Sequence, residues 1–107
     1  MNPITPDGRY FVVNATLWRC SNPSLDDDER QRLVNELMDA RRAVKAAKAS
    51  GDPGEMKIAR AAVQATKVAL GERGPVWWDD GAPDLNRHGV KNTPYSDWYQ
   101  TLAPTDR

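Results

Sequence analysis

The residues of this sequence best suited to chemistry lie close together near its end: Asp79, Asp80, Asp84 and His88, the only histidine. Asp84 and His88 are four positions apart, so on a helix they would share a face. A carboxylate beside an imidazole can hold a metal ion or act as an acid and base pair. Gly81, Pro83 and Gly89 confine any helix there to about one turn, in which Asp84 equally serves as N-cap and Gly89 as terminator. No glycine-rich phosphate loop, nucleophile elbow or paired-cysteine motif accompanies the pair. A small metal-dependent hydrolase is therefore the third of three readings, with no cofactor expected. Cys20, beside Arg19, has the neighbour of an activated thiol, but a single cysteine at the end of a strand is also simply a small apolar side chain.

Two larger groups of side chains suit binding rather than catalysis. From residue 40 to residue 67 there are seven basic residues, Arg41, Arg42, Lys45, Lys48, Lys57, Arg60 and Lys67, against two acidic ones, Asp52 and Glu55. On a helix Lys57, Arg60, Gln64 and Lys67 form one stripe, and Arg41, Arg42, Lys45 and Lys48 crowd the matching end of the helix before it. Seven phosphate contacts suffice for salt-sensitive nucleic-acid binding, which makes that the second reading. The stripe holds no aromatic to stack on bases and no DNA-binding motif, so a solvated helix face explains the same residues. The other group is aromatic: Trp77, Trp78, Tyr95, Trp98 and Tyr99. Rings of this size anchor partner interfaces or complete a thin core. Adjacent Trp77 and Trp78 point to opposite sides of an extended segment, which leaves at least one for a partner. Trp77, Trp78, Trp98 and Tyr95 are thus the expected partner contacts.

The elements that must position these residues centre on a motif written twice. Residues 40–48 and 59–67 are identical at six of nine positions. Between them Ser50, Gly51, Asp52, Pro53 and Gly54 break the helix, so the economical arrangement is an antiparallel helical hairpin. Leu33, Leu37, Ala40, Val44 and Ala47 form one heptad seam, and Met56, Ala59, Val63, Thr66 and Leu70 the other. Four of these ten are Ala or Thr, so the backbones can approach closely while little apolar area is buried. Ile58, Ala62, Ala65 and Ala69 flank the second seam and should receive the rest of the chain. Ser24 with Asp27 resembles a capping box for the first helix, and Asp26, Asp27, Asp28 and Glu29 suit its positive end. Asp52 with Pro53 opens the second, and Gly71 closes it.

Before the hairpin, residues 10–13 and 16–19 read as two short strands joined at Asn14 and Ala15, with Trp18 as core anchor. Such a ribbon is marginal alone and must pack on something, the broad face of the first helix being the nearest candidate. After the hairpin, residues 73–107 read as an ordered tryptophan-rich loop. Thr93 as cap and Pro94 as first helical residue predict one short helix to about Leu102. Residues from Pro104 onward should fray.

Length and composition bound the whole. With 107 residues, 39% hydrophobic and 28% charged, the chain suits one small α+β domain, mostly α, with a β-hairpin over 1–23 and the helical hairpin over 24–72. Its 15 basic and 15 acidic residues balance, so no overall charge directs it to nucleic acid or membrane. One cysteine excludes an internal disulfide and suits a reducing compartment. Residues 1–9 carry Pro3, Pro6 and Asp7 and do not resemble a signal peptide, and no stretch approaches the ~18 apolar residues of a membrane span. A cytoplasmic location is expected.

Residues 1–13, 17–23, 37–44 and 74–88, the last reading Gly-Pro-Val-Trp-Trp-Asp-Asp-Gly-Ala-Pro-Asp-Leu-Asn-Arg-His, resemble a family of small uncharacterised bacterial proteins. Some members are labelled biopolymer transporter Tol. The resemblance brings across no catalytic residues. The leading expectation is therefore drawn from the residues themselves: a non-enzymatic protein-protein interaction module that binds a protein partner or a second copy of itself through exposed aromatics.

Overall fold

A computed structural model describes residues 2–105. The chain is α+β and mostly α. Its elements are β1 (Tyr10–Val13), β2 (Thr16–Arg19), α1 (Asp27–Ser50), α2 (Pro53–Leu70), a single 3-10 turn (Val90–Asn92) and α3 (Ser96–Thr101). They fall into two compact units, one running from Asn22 to Pro75, the other made of the chain up to Ser21 together with the chain from Val76 onward. The expectation of a frayed end bears in part on residues 106 and 107, which lie outside the described residues.

In the Asn22 to Pro75 unit the breakers act as their chemistry dictates. Gly51 takes φ 73° and returns its N–H to the Ala47 carbonyl, ending α1. Asp52 then caps α2, its carboxylate accepting from the Gly54 and Glu55 N–H groups, with Pro53 in the first turn. Gly71, at φ 87°, ends α2. With so short a link the two helices must run antiparallel. Leu33, Leu37, Ala40 and Ala47 of α1 and Ala59, Thr66 and Leu70 of α2 are buried. Leu33, Leu37 and Leu70, with Leu25, Val34 and Val63 against them, supply the larger side chains of this core. Thr66 is accommodated because its hydroxyl donates to the Ala62 carbonyl at 2.8 Å.

The start of α1 differs from expectation. Its cap is Asp26, with no side-chain cap bond, and Ser24 sits in a turn where its N–H donates to Asn22 Oδ1 at 2.9 Å. The acidic first turn, Asp27, Asp28 and Glu29, is in place beside the helix's exposed N–H groups.

In the other unit β1 and β2 pair antiparallel, Tyr10 opposite Arg19 and Val12 opposite Leu17. Asn14 at φ 52° and Ala15 at φ 59° close a two-residue turn of the mirror-image type that suits strand twist. Strand alternation buries Tyr10, Val12, Leu17 and Arg19 on one side. Trp18 therefore takes the other side, half-buried and opposite Phe11, and the anchor is Leu17, 0% exposed. Within the unit the C-terminal segment covers this ribbon. Arg87 N–H donates to the Leu17 carbonyl at 2.7 Å, Leu17 N–H to the His88 carbonyl at 2.9 Å and Val90 N–H to the Ala15 carbonyl at 2.9 Å. Along β1 the Val12 N–H donates to the Pro3 carbonyl at 2.9 Å and the Thr5 N–H to the Tyr10 carbonyl at 2.8 Å, so both strand edges are occupied.

The terminal helix is shorter than the sequence implies. Pro94 and Tyr95 form a turn and α3 begins at Ser96, while Thr93 Oγ1 accepts from the Tyr95 N–H at 3.3 Å.

Ala15 is the residue of the ribbon whose backbone its side chain disfavours. Ala15→Gly is expected to stabilise the fold by up to about 1 kcal/mol and Ala15→Val to destabilise it. Thermal unfolding of the two variants checks the sign of each.

Candidate functional site

Of the aromatic residues expected to meet a partner, Trp78 lies in the core of its own unit and Trp77, Tyr95 and Trp98 pack half-buried against it. Trp78 is 9% exposed and clusters with Tyr10, Val12, Leu17 and Val90. Its ring meets the edge of Tyr10 at 5.7 Å between centroids and that of Trp77 at 5.0 Å. Both indoles have their polar atom satisfied, Trp77 Nε1 donating to the Cys20 carbonyl at 3.0 Å and Trp78 Nε1 to the Ala82 carbonyl at 2.8 Å. Trp98 and Tyr99 are half-buried against the same cluster. The argument from adjacency fails because residues 77 and 78 pack edge to face with each other and do not straddle an extended strand. Trp78 is thus a core residue, while Trp77, Tyr95 and Trp98 are half-buried against it.

Tyr95 joins this core to a carboxylate. Its ring meets Tyr10 edge-on at 5.6 Å, and its hydroxyl donates to Asp7 Oδ2 at 2.6 Å. Burial raises the Tyr95 pKa, and the bond to Asp7 raises it further. For Asp7 burial acts upward, yet the bonds from Tyr95, from the Thr5 hydroxyl and from the Arg9 N–H outweigh it and leave the pKa lowered.

Asp84 and His88 do not form the expected helical pair. Residues 82–85 are irregular, and Asn86 and Arg87 form a turn, with Arg87 at φ 71° and the His88 N–H donating to the Leu85 carbonyl at 3.1 Å, so no helical turn joins the pair. Asp84 Oδ1 accepts from the Asn86 N–H at 3.0 Å, and Oδ2 lies 3.2 Å from Nη1 of Arg19, whose side chain is fully buried. The carboxylate thus answers a buried cation. The His88 side chain is exposed. Asp80 pairs with Arg9, whose guanidinium also lies 4.7 Å from the Trp78 ring. Among the described residues no group of three or more His, Cys, Asp or Glu side chains is placed to hold a metal ion.

The basic residues divide. Arg42 pairs with Asp39, and Lys45, Lys48 and Lys57 are exposed. Arg41 and Arg60 line a surface groove of about 500 Å³ with Val44, Val63 and Gln64. They are joined there by Arg73, which follows the helix and so had no place in a helical projection. Gln64 Oε1 accepts from Arg73 Nη1 at 2.8 Å. Burial lowers the pKa of Lys67, and the charges of Arg73 and Arg41 lower it further, against the pull of Glu72.

A second feature escaped the sequence because it was assigned a structural task. The flank of α2 that should have received the rest of the chain is uncovered: Ile58 is 73% exposed and Val68 39%, and Ala61, Ala62, Ala65 and Ala69 between and beside them are exposed too. Beside it Ile58, Ala59 and Ala62 join Ala43, Ala46 and Ala47 of α1 along a shallow groove of about 420 Å³. Met38 of α1 is also 52% exposed.

No family model matches the chain, nor does any curated protein or solved structure. Among the described residues no helix is long and apolar enough to cross a membrane.

Trp78→Ala is expected to cost about 3–5 kcal/mol and to unfold its unit, read as loss of near-UV circular dichroism. Because the folded state holds the Tyr95 proton more tightly than the unfolded chain does, its contribution is fully present below pH 10.0, the ordinary tyrosine value, and is lost as pH rises beyond it. Tyr95→Phe should flatten the alkaline fall in stability to the part owed to Tyr10, whose pKa burial also raises. Urea unfolding across pH 8–11 measures it.

Proposed function

We propose that the protein is a non-enzymatic interaction module that pairs with a second copy of itself through the outer face of α2. The observation that supports this reading is the uncovered face itself, where Ile58, Ala61, Ala65 and Val68 follow one another without a charge. A surface helix ordinarily carries its charged residues there.

The order of sizes argues for a second copy as occupant. Positions 58, 61, 65 and 68 are spaced three, four and three apart, symmetric about position 63, with the large side chains outside and alanines within. A two-fold axis at that height sets Ile58 against Val68 of the second copy and Ala61 against its Ala65. An isologous interface requires this self-complementarity. The alanines let the two helix backbones approach closely, and the branched side chains close the ends. Against the entropy lost on association, so small a face supports on the order of −4 to −8 kcal/mol, a micromolar to millimolar dimer.

Sedimentation equilibrium between about 10 μM and 1 mM should show a monomer and dimer in exchange. Ala65→Glu should abolish the dimer at unchanged helicity, because Ala and Glu differ little in helix propensity. The double variant Ala61→Lys/Ala65→Glu should recover it by setting opposite charges against each other across the axis. A monomeric mass throughout, or an Ala65→Glu protein that still dimerises, contradicts the proposal.

A further inference from the structure

Five arginines enter no ion pair among the described residues, and three of them gather in one groove. Arg9 is paired with Asp80, Arg19 with Asp84, Arg32 with Glu29 and Glu36, and Arg42 with Asp39. Arg41, Arg60 and Arg73 enter no ion pair among the described residues, and these three line one groove. No carboxylate is among the groove's lining residues, and its apolar members are Val44 and Val63, both half-buried. Lys67, outside the lining, is a further cation close enough to Arg73 and Arg41 for their charges to act on it, and the Glu72 carboxylate acts on it in the opposite sense.

We propose that this groove binds a compact polyanion of the phosphate class, a linked di- or triphosphate group. Like charges gathered in a groove lined by no carboxylate repel one another, and an anion bound among them relieves that repulsion. Guanidinium groups suit phosphate because their planar N–H forks meet two oxygens at once. The valine floor presents no competing acceptor and lowers the local dielectric, which strengthens each charge pair. Gln64 holds Arg73 over the groove through its 2.8 Å bond, so part of the ordering cost is met before the ligand arrives. Convergence on one groove favours a short ligand with several charges over a nucleic-acid backbone, whose charges would be met by a track of cations with aromatic platforms for the bases. The groove occupies a different face of α2 from Ile58 and Ala65, so the site stands independently of self-association.

The test is isothermal titration with inorganic tripolyphosphate at about 50 mM salt, together with NMR titration of the Lys67 side chain. Saturable binding at one site per chain is expected, weakened at least tenfold by Arg41→Gln and by Arg60→Gln and unchanged by Arg42→Gln, whose guanidinium is already paired. Since all three positions are exposed, far-UV circular dichroism should show intact helices in each variant. Binding should also move the Lys67 pKa upward, because a neighbouring anion favours the charged ammonium. Absence of heat and of shifts at millimolar tripolyphosphate overturns the proposal. So does an equal loss in Arg42→Gln, which marks diffuse charge. Single-stranded oligonucleotides that bind more tightly than tripolyphosphate, with affinity rising with length, would assign the cations to a nucleic-acid track and overturn it as well.

Discussion

Apolar area is the scarce quantity in this chain, and each unit meets the scarcity differently. In the helical hairpin four of the ten seam residues are Ala or Thr, so the helices are held by close backbone approach and by Leu33, Leu37 and Leu70 packed together. In the other unit the rings of Tyr10, Trp77, Trp78, Tyr95 and Trp98 do the work that a larger sheet would share among many aliphatic side chains. Tyr10 is its hub. It is fully buried, it meets both Trp78 and Tyr95, and its hydroxyl accepts from the Leu85 N–H at 2.8 Å. One residue of β1 thereby fixes the C-terminal segment at three points. The aromatics gather in and against this core, and the most exposed large apolar side chain, Ile58, is aliphatic.

Buried polarity follows the same economy. Arg19 is carried into the interior by strand alternation at a position a shorter side chain would leave hollow, and the irregular segment around Asp84 supplies its carboxylate. Asp7 and Tyr95 answer each other in the same way across 88 residues of sequence. Arg30 Nε, buried without a hydrogen-bond partner, is the exception among the described side chains, and the surface groove beside Arg41 gathers cations with no carboxylate in its lining.

What could be read from the sequence was whatever local chemistry decides. The motif at 40–48 and 59–67, the Gly51-Asp52-Pro53 link, the Asp52 cap and the Gly71 stop fixed the helical hairpin without tertiary information, because each acts within four residues of itself. The strands were legible from Tyr10-Phe-Val-Val and Thr-Leu-Trp-Arg for the same reason. What could not be read depended on partners distant in sequence. Trp78 is inside because Tyr10 receives it, Asp84 is engaged because Arg19 lies buried beside it, and Arg73 reaches the groove only after α2 has ended. Periodicity marked Ile58 and Ala65 as apolar, yet it could not say that they would stay uncovered. The Asp84 and His88 pair failed on its own condition, since four-residue spacing brings side chains together only on a helix.

The central claim is that contact with another molecule runs through the aliphatic face of α2 while the tryptophans remain internal. NMR spectra recorded over a dilution series, from about 1 mM to 20 μM, address both halves at once. The account predicts concentration-dependent shifts at the methyl groups of Ile58, Ala61, Ala65 and Val68, with the indole N–H signals of Trp77 and Trp78 unmoved. Indole signals that shift on dilution while the α2 methyl groups stay fixed would return the partner surface to the aromatic segment and contradict it.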